Sequence, residues 1–269
     1  MNESLVKYLS GLLDADGSLS YSFKRAEQHG RNYLGLSLNL TASDAVDKHG
    51  FVSSLPEVTG MGSVSRYGDN KQFACWTVHK RADLEMLLPR LIKHMVIKAK
   101  HWQSLLDVWR DVRNAARKNG GSATVSDKER DFLAEVSRHS RKLRVGPIKP
   151  KNHPTWAWLA GYLDGDGWYS QRQGKNCMYM RVGAVAHTND AWVLEFLRRS
   201  FGGSIKPHGQ TSNCKIWYRS LGVRDTSFVL RFLPNLAKHS RLKRHKIDAM
   251  IHYHRQRLSD SGAAAQATV

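Results

Sequence analysis

Two periodicities alternate along the chain. Leu5, Leu9, Leu12 and Leu13 recur at the spacing of one helical face, with Ser4 placed to cap that helix. Leu19, Tyr21 and Phe23 then alternate with Ser18, Ser20, Ser22 and Lys24, and Leu34, Leu36, Leu38 and Leu40 with Gly35, Ser37, Asn39 and Thr41. A period of two predicts strands with one packed and one polar face. Met180, Val182, Ala184 and Ala186 alternate in the same way with Arg181, Gly183, Val185 and His187. Shorter strands are expected at 62–67, 72–78, 203–208 and 214–221. Pro154 opens a second helix with Trp158, Leu159, Tyr162 and Leu163 on its apolar side. The order helix, strands, helix, strands, helix appears twice, which makes the fold class α+β.

The two series share sequence as well as order. Tyr8-Leu9-Ser10-Gly11-Leu12-Leu13-Asp14-Ala15-Asp16-Gly17 matches Trp158-Leu159-Ala160-Gly161-Tyr162-Leu163-Asp164-Gly165-Asp166-Gly167 in a common frame of apolar, small, Gly, apolar, apolar, Asp, small, Asp, Gly. Later, Leu88-Pro89-Arg90-Leu91-Ile92-Lys93-His94 matches Leu233-Pro234-Asn235-Leu236-Ala237-Lys238-His239, and each is followed by a lysine, Lys98 and Lys243. Two matches in the same order indicate a duplicated unit of about 100 residues. The halves are expected at 1–109 and 154–255, with a tail at 256–269 that frays. Each helix is expected to stop at Asp-x-Asp-Gly, where Gly17 or Gly167 suits a C-terminal turn.

The connector, 110–153, is basic: residues 110–151 hold 12 Lys and Arg against 5 Asp and Glu. Ser126 and Glu129 form a capping box for a short helix through about Leu143. Such a connector either touches phosphates or is simply solvated. The whole chain has 42 Lys and Arg against 23 Asp and Glu, a net charge of +19, which points to a polyanionic partner. No run of about 18 apolar residues predicts a membrane helix. Met1-Asn2-Glu3-Ser4 lacks the basic start of a signal peptide. Cys75, Cys177 and Cys214 form no CxxC pair and read as reduced thiols of an intracellular, membrane-free protein.

Two helices with small residues at Ser10, Gly11, Ala160 and Gly161 can pack closely and bring a carboxylate from each end together. Two such carboxylates repel unless one is protonated or a cation lies between them. Mg²⁺ takes oxygen ligands and keeps several waters, and paired metals activate water on a phosphodiester. The His239, His245, His252 and His254 series lacks a carboxylate or thiolate in metal-site spacing.

Both motif segments resemble the defining motif of the LAGLIDADG homing endonucleases, in the branch carrying two motifs on one monomeric chain. The resemblance implies two pseudo-symmetric αββαββα halves, with motif helices at the centre and two four-stranded antiparallel sheets forming a saddle on DNA. It implies that Asp16 and Asp166 bind the metals, with the backbone of Gly17 and Gly167 beside them. Asp14 and Asp164 would be structural, ending their helices. Lys98 and Lys243 correspond to a basic residue near the metal-bound water, or else contact phosphate or solvent. The expected cofactor is Mg²⁺, with Mn²⁺ substituting and Ca²⁺ binding without supporting cleavage. Ser20, Ser22, Lys24, Ser37, Asn39, Arg66, Arg172, Arg181, His187 and Arg219 are the candidate DNA-facing residues. His187 corresponds to a water-ordering position, or is a DNA-facing or merely satisfied histidine; its first-half counterpart is expected at Thr41 or Ala42. The activity implied is site-specific double-strand cleavage of a long, non-palindromic DNA, leaving short 3′ overhangs. The alternatives are a maturase acting on its host intron RNA, a catalytically silent DNA-binding regulator on the same fold, and a basic RNA-binding protein.

Overall fold

The computed structural model describes residues 1–26, 31–118, 124–142, 154–173, 178–188, 191–208, 213–221 and 228–266. Helix α1 (Glu3–Asp16) starts at Asn2, whose side chain accepts the Leu5 amide at 2.8 Å. Ser4 is not the cap; its hydroxyl meets His239 Nδ1 at 3.3 Å. Helix α6 (Trp156–Asp166) is likewise capped by Thr155, which accepts the Trp158 amide at 3.2 Å, so Pro154 precedes the cap. Asn2 and Thr155 each satisfy an amide that has no partner inside the first turn.

These two helices pack backbone to backbone at the centre. A Cβ on Gly11 would fall 1.9 Å from the Trp158 carbonyl oxygen, and one on Gly161 would fall 2.0 Å from that of Tyr8. Only glycine permits this reciprocal approach, and Leu9, Leu12, Leu13, Leu159, Tyr162 and Leu163 are buried around it. The terminal glycines are not in a turn conformation: Gly17 and Gly167 are extended, with φ of −76° and −91°. What glycine supplies is space, since a Cβ at Gly17 would lie 2.7 Å from the Leu13 carbonyl oxygen and one at Gly167 would lie 2.4 Å from that of Leu163. The chain therefore leaves each helix straight into a strand.

In the first half the strands are β1 (Ser18–Ala26), β2 (Arg31–Ser43), β3 (Ser63–Tyr67) and β4 (Phe73–Val78), in the antiparallel order β1-β2-β4-β3. Helix α2 (Phe51–Thr59) lies between the two strand pairs, and α3 (Arg81–Ile92) and α4 (Ala99–Lys118) follow. The second half repeats this plan. Its strands β6 (Gly167–Gln173), β7 (Met178–His187), β8 (Ser204–Pro207) and β9 (Cys214–Leu221) run in the antiparallel order β6-β7-β9-β8. Helix α7 (Ala191–Phe201) joins the pairs. A π-helical turn (Phe228–Phe232), α8 (Leu233–Ala237) and α9 (Arg244–Gln266) close the chain. The two four-stranded antiparallel sheets are thus present; the four shorter strands fall at or inside their expected spans, β1, β2 and β7 run two or three residues beyond theirs, and β6 was not among the expected strands. Each sheet buries one face: Leu34, Leu36, Leu38, Leu40, Ala74, Trp76 and Val78 in the first, Met180, Val182, Ala184, Ala186, Trp217 and Leu221 in the second.

The connector is structured on the first half. Helix α4 runs unbroken past residue 109. β5 (Thr124–Val125) pairs with β2 at Tyr33 and Asn32 and adds a fifth strand. The capping box forms, with Ser126 N to Glu129 Oε2 at 2.7 Å and Glu129 N to Ser126 Oγ at 3.3 Å, and opens α5 (Asp127–Lys142). Val125 and Leu133 join the core, and Asn32 donates to Asp127 at 3.0 Å. The tail differs from expectation too: α9 stays helical through Gln266.

Gly11→Ala or Gly161→Ala is expected to push the central helices apart and cost about 3 kcal/mol or more, in line with overpacked cores. Urea unfolding of each variant measures this; an unchanged midpoint would contradict the backbone contact.

Candidate active site and nucleic-acid face

The two aspartates of each motif do different work. Asp14 is buried and accepts the backbone amides of Val96 (2.7 Å), Ile97 (3.2 Å) and Lys98 (2.7 Å), just ahead of α4. It also accepts Trp158 Nε1 from the other half at 3.0 Å. Burial pushes the Asp14 carboxyl up, offset in part by the Val96 and Lys98 amides. Asp164 repeats the arrangement ahead of α9, accepting Ser240 Oγ (2.7 Å) and the amides of Arg241 (2.8 Å), Leu242 (3.0 Å) and Lys243 (3.3 Å). It accepts Tyr8 O–H from the other half at 2.8 Å. Tyr8 and Trp158 occupy the same motif position, so each half's inner aspartate is tied to the other half. These aspartates are structural, as expected, but they anchor the start of a distant helix instead of ending their own.

Lys98 and Lys243 are buried, which removes the solvent-lysine alternative. Lys98 Nζ donates to the carbonyls of Leu13, Ala15 and Gly17, each at 2.9 Å. Lys243 Nζ donates to those of Leu163 (3.2 Å), Gly165 (2.8 Å) and Gly167 (2.6 Å). An ammonium has three N–H groups, and the carbonyls at a helix C-terminus lack intrahelical partners and carry negative dipole. Each lysine therefore caps its motif helix with a fixed charge. Gly17 and Gly167 spend one carbonyl lone pair on that bond and retain a second.

Asp16 and Asp166 end α1 and α6 where the helices abut. A Cβ on Gly165 would lie 2.8 Å from Asp16 Oδ2 and 2.4 Å from Ala15 Cβ, so the Asp16 carboxylate sits against the residue preceding Asp166. Desolvation in this crowded end raises the Asp16 pKa, although Lys243 and Lys98 oppose it. Burial lowers the pKa of Lys243, which feels Asp164, Asp16 and Asp166 as opposing anions.

The strand registers sort the remaining candidates. Ser20, Ser22, Lys24, Ser37 and Asn39 stand on the first sheet's outer face, where Thr77 donates to Asn39 at 2.9 Å and Asn39 to Ser37 at 3.3 Å. Arg181 and His187 are exposed on the second sheet's outer face, opposite Ser220 and Cys214. Two arginines are misplaced by the sequence reading. Arg66 pairs with buried Ala74 and so lies on the packed side, bonded to Asp44 at 3.0 Å and Ser53 at 3.2 Å. Arg219 is two residues from buried Trp217, stacks over Phe228 at 4.3 Å and donates to the Phe201 carbonyl. Val64 and Trp217 carry the signal that would have found this, since residues two apart in a strand share a face. Arg172 pairs with Tyr179 in the ladder, but its side chain lies outside the described residues, as does Cys177. His187 also shifts counterpart. Ser18 pairs with Asn39 as Trp168 pairs with Gly183, so His187 matches Ser43, not Thr41 or Ala42. Trp168, Val185, Lys206, Ile216 and Tyr218, also outward by register, were not among the expected DNA-facing residues.

Residues 9–107 match the family model described as LAGLIDADG endonuclease. No curated protein sequence matches the chain. Among solved structures, the LAGLIDADG homing endonuclease I-GzeII in complex with its DNA target superposes with a TM-score of 0.72 at 14% identity, covering 95% of this chain and 91% of that one. I-SmaMI bound to uncleaved DNA target in the presence of calcium ions gives a TM-score of 0.72 at 14% identity, covering 97% and 93%. I-SmaMI bound to cleaved DNA gives 0.67 at 14%, covering 97% and 91%. The segment matching the LAGLIDADG endonuclease model thus lies in the first half, the second half repeats its motif and plan, and the chain as a whole has the fold of these two-motif homing endonucleases. Among the described residues, no helix is long and apolar enough to cross a membrane.

Because its pKa is raised, ionised Asp16 costs stability above that pKa, and the cost is absent below the ordinary carboxylate value near about 3.9. Asp16→Asn should therefore raise the melting temperature at pH 7 in metal-free buffer, with the gain vanishing below about pH 4. Lys98→Met strands three carbonyls and should cost about 2–5 kcal/mol in urea unfolding; a neutral result would disprove the capping role.

Proposed function

We propose that this chain makes a Mg²⁺-dependent double-strand break in a long, non-palindromic DNA target, leaving short 3′ overhangs. The observation that carries the reading is the meeting of two motif helix ends, Asp16 against Gly165 and next to Asp166, under two sheets with unlike outer faces. The donor set fits a hard divalent cation: two carboxylates, one of them desolvated and raised in pKa, with the Gly17 and Gly167 carbonyls beside them. Such ions prefer oxygen ligands and retain waters that DNA phosphate oxygens can replace. When bound, the metal would lower the pKa of water and neutralise charge on the phosphodiester.

The protein's own residues supply the rest. Asp16 and Asp166 would hold the cation, each from its own half. Lys98 and Lys243, fixed by three carbonyls each, keep positive charge beside them without having to reach for the phosphate. Preorganised charge of this kind needs no rearrangement as negative charge builds on phosphate. The outer strand faces would meet the major groove and select bases, while the net charge of +19 draws in the backbone.

The test is cleavage of a randomised duplex library in Mg²⁺. Wild type should cut a small family of asymmetric sites, and Asp16→Asn and Asp166→Asn should each reduce the rate by about 10³-fold or more. Full activity in both variants would refute the site. Binding should weaken by about 10³-fold between 50 and 200 mM salt if six or more phosphates are neutralised.

A further inference from the structure

The two outer faces differ in chemistry row by row. Next to the first motif, the row across the sheet is Ser18, Asn39, Thr77 and Ser63; its counterpart is Trp168, Gly183, Tyr218 and Ser204. The following row towards the strand ends is Thr41, Cys75 and Ser65 in the first half, but Val185, Ile216 and Lys206 in the second. In these two rows the first face offers hydroxyls, a thiol and an amide, with Thr77 and Asn39 hydrogen-bonded to each other; the stacked Tyr67–Phe73 pair lies one row further out. The other offers half-buried apolar and aromatic side chains, with exposed Arg181 and Lys206 at its margins.

The aromatic surface is built in. A Cβ at Gly183 would fall 2.1 Å from the Trp168 ring, so the glycine exists to seat the indole flat on the strand. Lys206 Nζ lies over the Tyr218 ring at 5.4 Å. A ring locked before binding loses little freedom on contact. Val185 and Ile216, paired across β7 and β9, complete an apolar strip on a face that the alternation pattern would otherwise make polar.

In the major groove of a DNA duplex, the one apolar group on a base edge is the thymine C5-methyl. The flanking Arg181 and Lys206 match the phosphates on either side. Resting on the DNA-endonuclease reading above, we propose that the second half recognises its half-site through thymine methyl groups, held against Trp168, Val185 and Ile216. The first half recognises its half-site by hydrogen bonds from Asn39, Ser37 and Thr77.

The test uses the full-length protein in EDTA and a randomised duplex library selected for binding. The first half's half-site is the one whose base preferences change in Asn39→Ala. The selected duplex is then rebuilt with deoxyuridine for thymidine, one half-site at a time. Loss of each contacted methyl in the second half's site should weaken binding about fourfold, and about tenfold or more when two are lost; the same exchange in the other half-site should change it less than twofold. Trp168→Ala should lose the methyl sensitivity at its position, and Trp168→Phe should keep it. Equal responses in the two half-sites, or none in the second, would overturn the proposal. A library that yields no sequence-selective binding at all would instead bring down the endonuclease reading on which it rests.

Discussion

The backbone contact between α1 and α6 is the constraint on which the rest of the structure depends. At Gly11 and Gly161 the helices come closer than any side chain would allow. That distance lets Asp14 reach Trp158 and Asp164 reach Tyr8, so each buried carboxylate is satisfied partly by the other half. A buried carboxylate without such partners would cost several kcal/mol. Here the same bonds also hold the starts of α4 and α9, and thereby place Lys98 and Lys243. Helix packing, inner aspartates and lysines form one mechanical unit that places Lys243 where it feels both Asp16 and Asp166.

The electrostatics of that point follow from opposed effects. Helix C-termini carry negative dipole, and two carboxylates placed there add to it. The lysines neutralise the helix ends but do not fully compensate Asp16, since desolvation still raises its pKa. At the seam the carboxylates therefore meet fixed ammonium groups in a partly desolvated setting, within a chain that as a whole is strongly basic and attracts a polyanion.

Much of this was legible in the sequence. The repeat located both motif helices, and alternation located the strands, because one buried face leaves a strong period of two. Arg66 was harder: β3 is a five-residue edge strand in which Val64 alone fixes the parity. Arg219 sits next to Trp217 and Leu221 in parity, but its charge suggested an outward position that packing over Phe228 overrides. Asn2 and Thr155 were overlooked as caps because each lies one or two residues from an equally plausible signal, Ser4 or Pro154. The roles of Gly17 and Gly167 depend on how near Leu13 and Leu163 come, which composition does not encode. The connector's docking on the first half was missed, whether it was read as phosphate-touching or solvated, because its two-residue strand has no period to detect and its pairing with β2 is a long-range event.

The contact between Ala15 and Gly165 breaks the symmetry of the seam. Alanine fits there because the opposite residue is glycine; a methyl on both sides would bring two carbons to 2.4 Å. Two copies of the first half therefore could not close the seam as these unlike halves do. Positions 15 and 165 are complementary instead of equivalent, so the two halves, alike in plan, are not interchangeable where they meet.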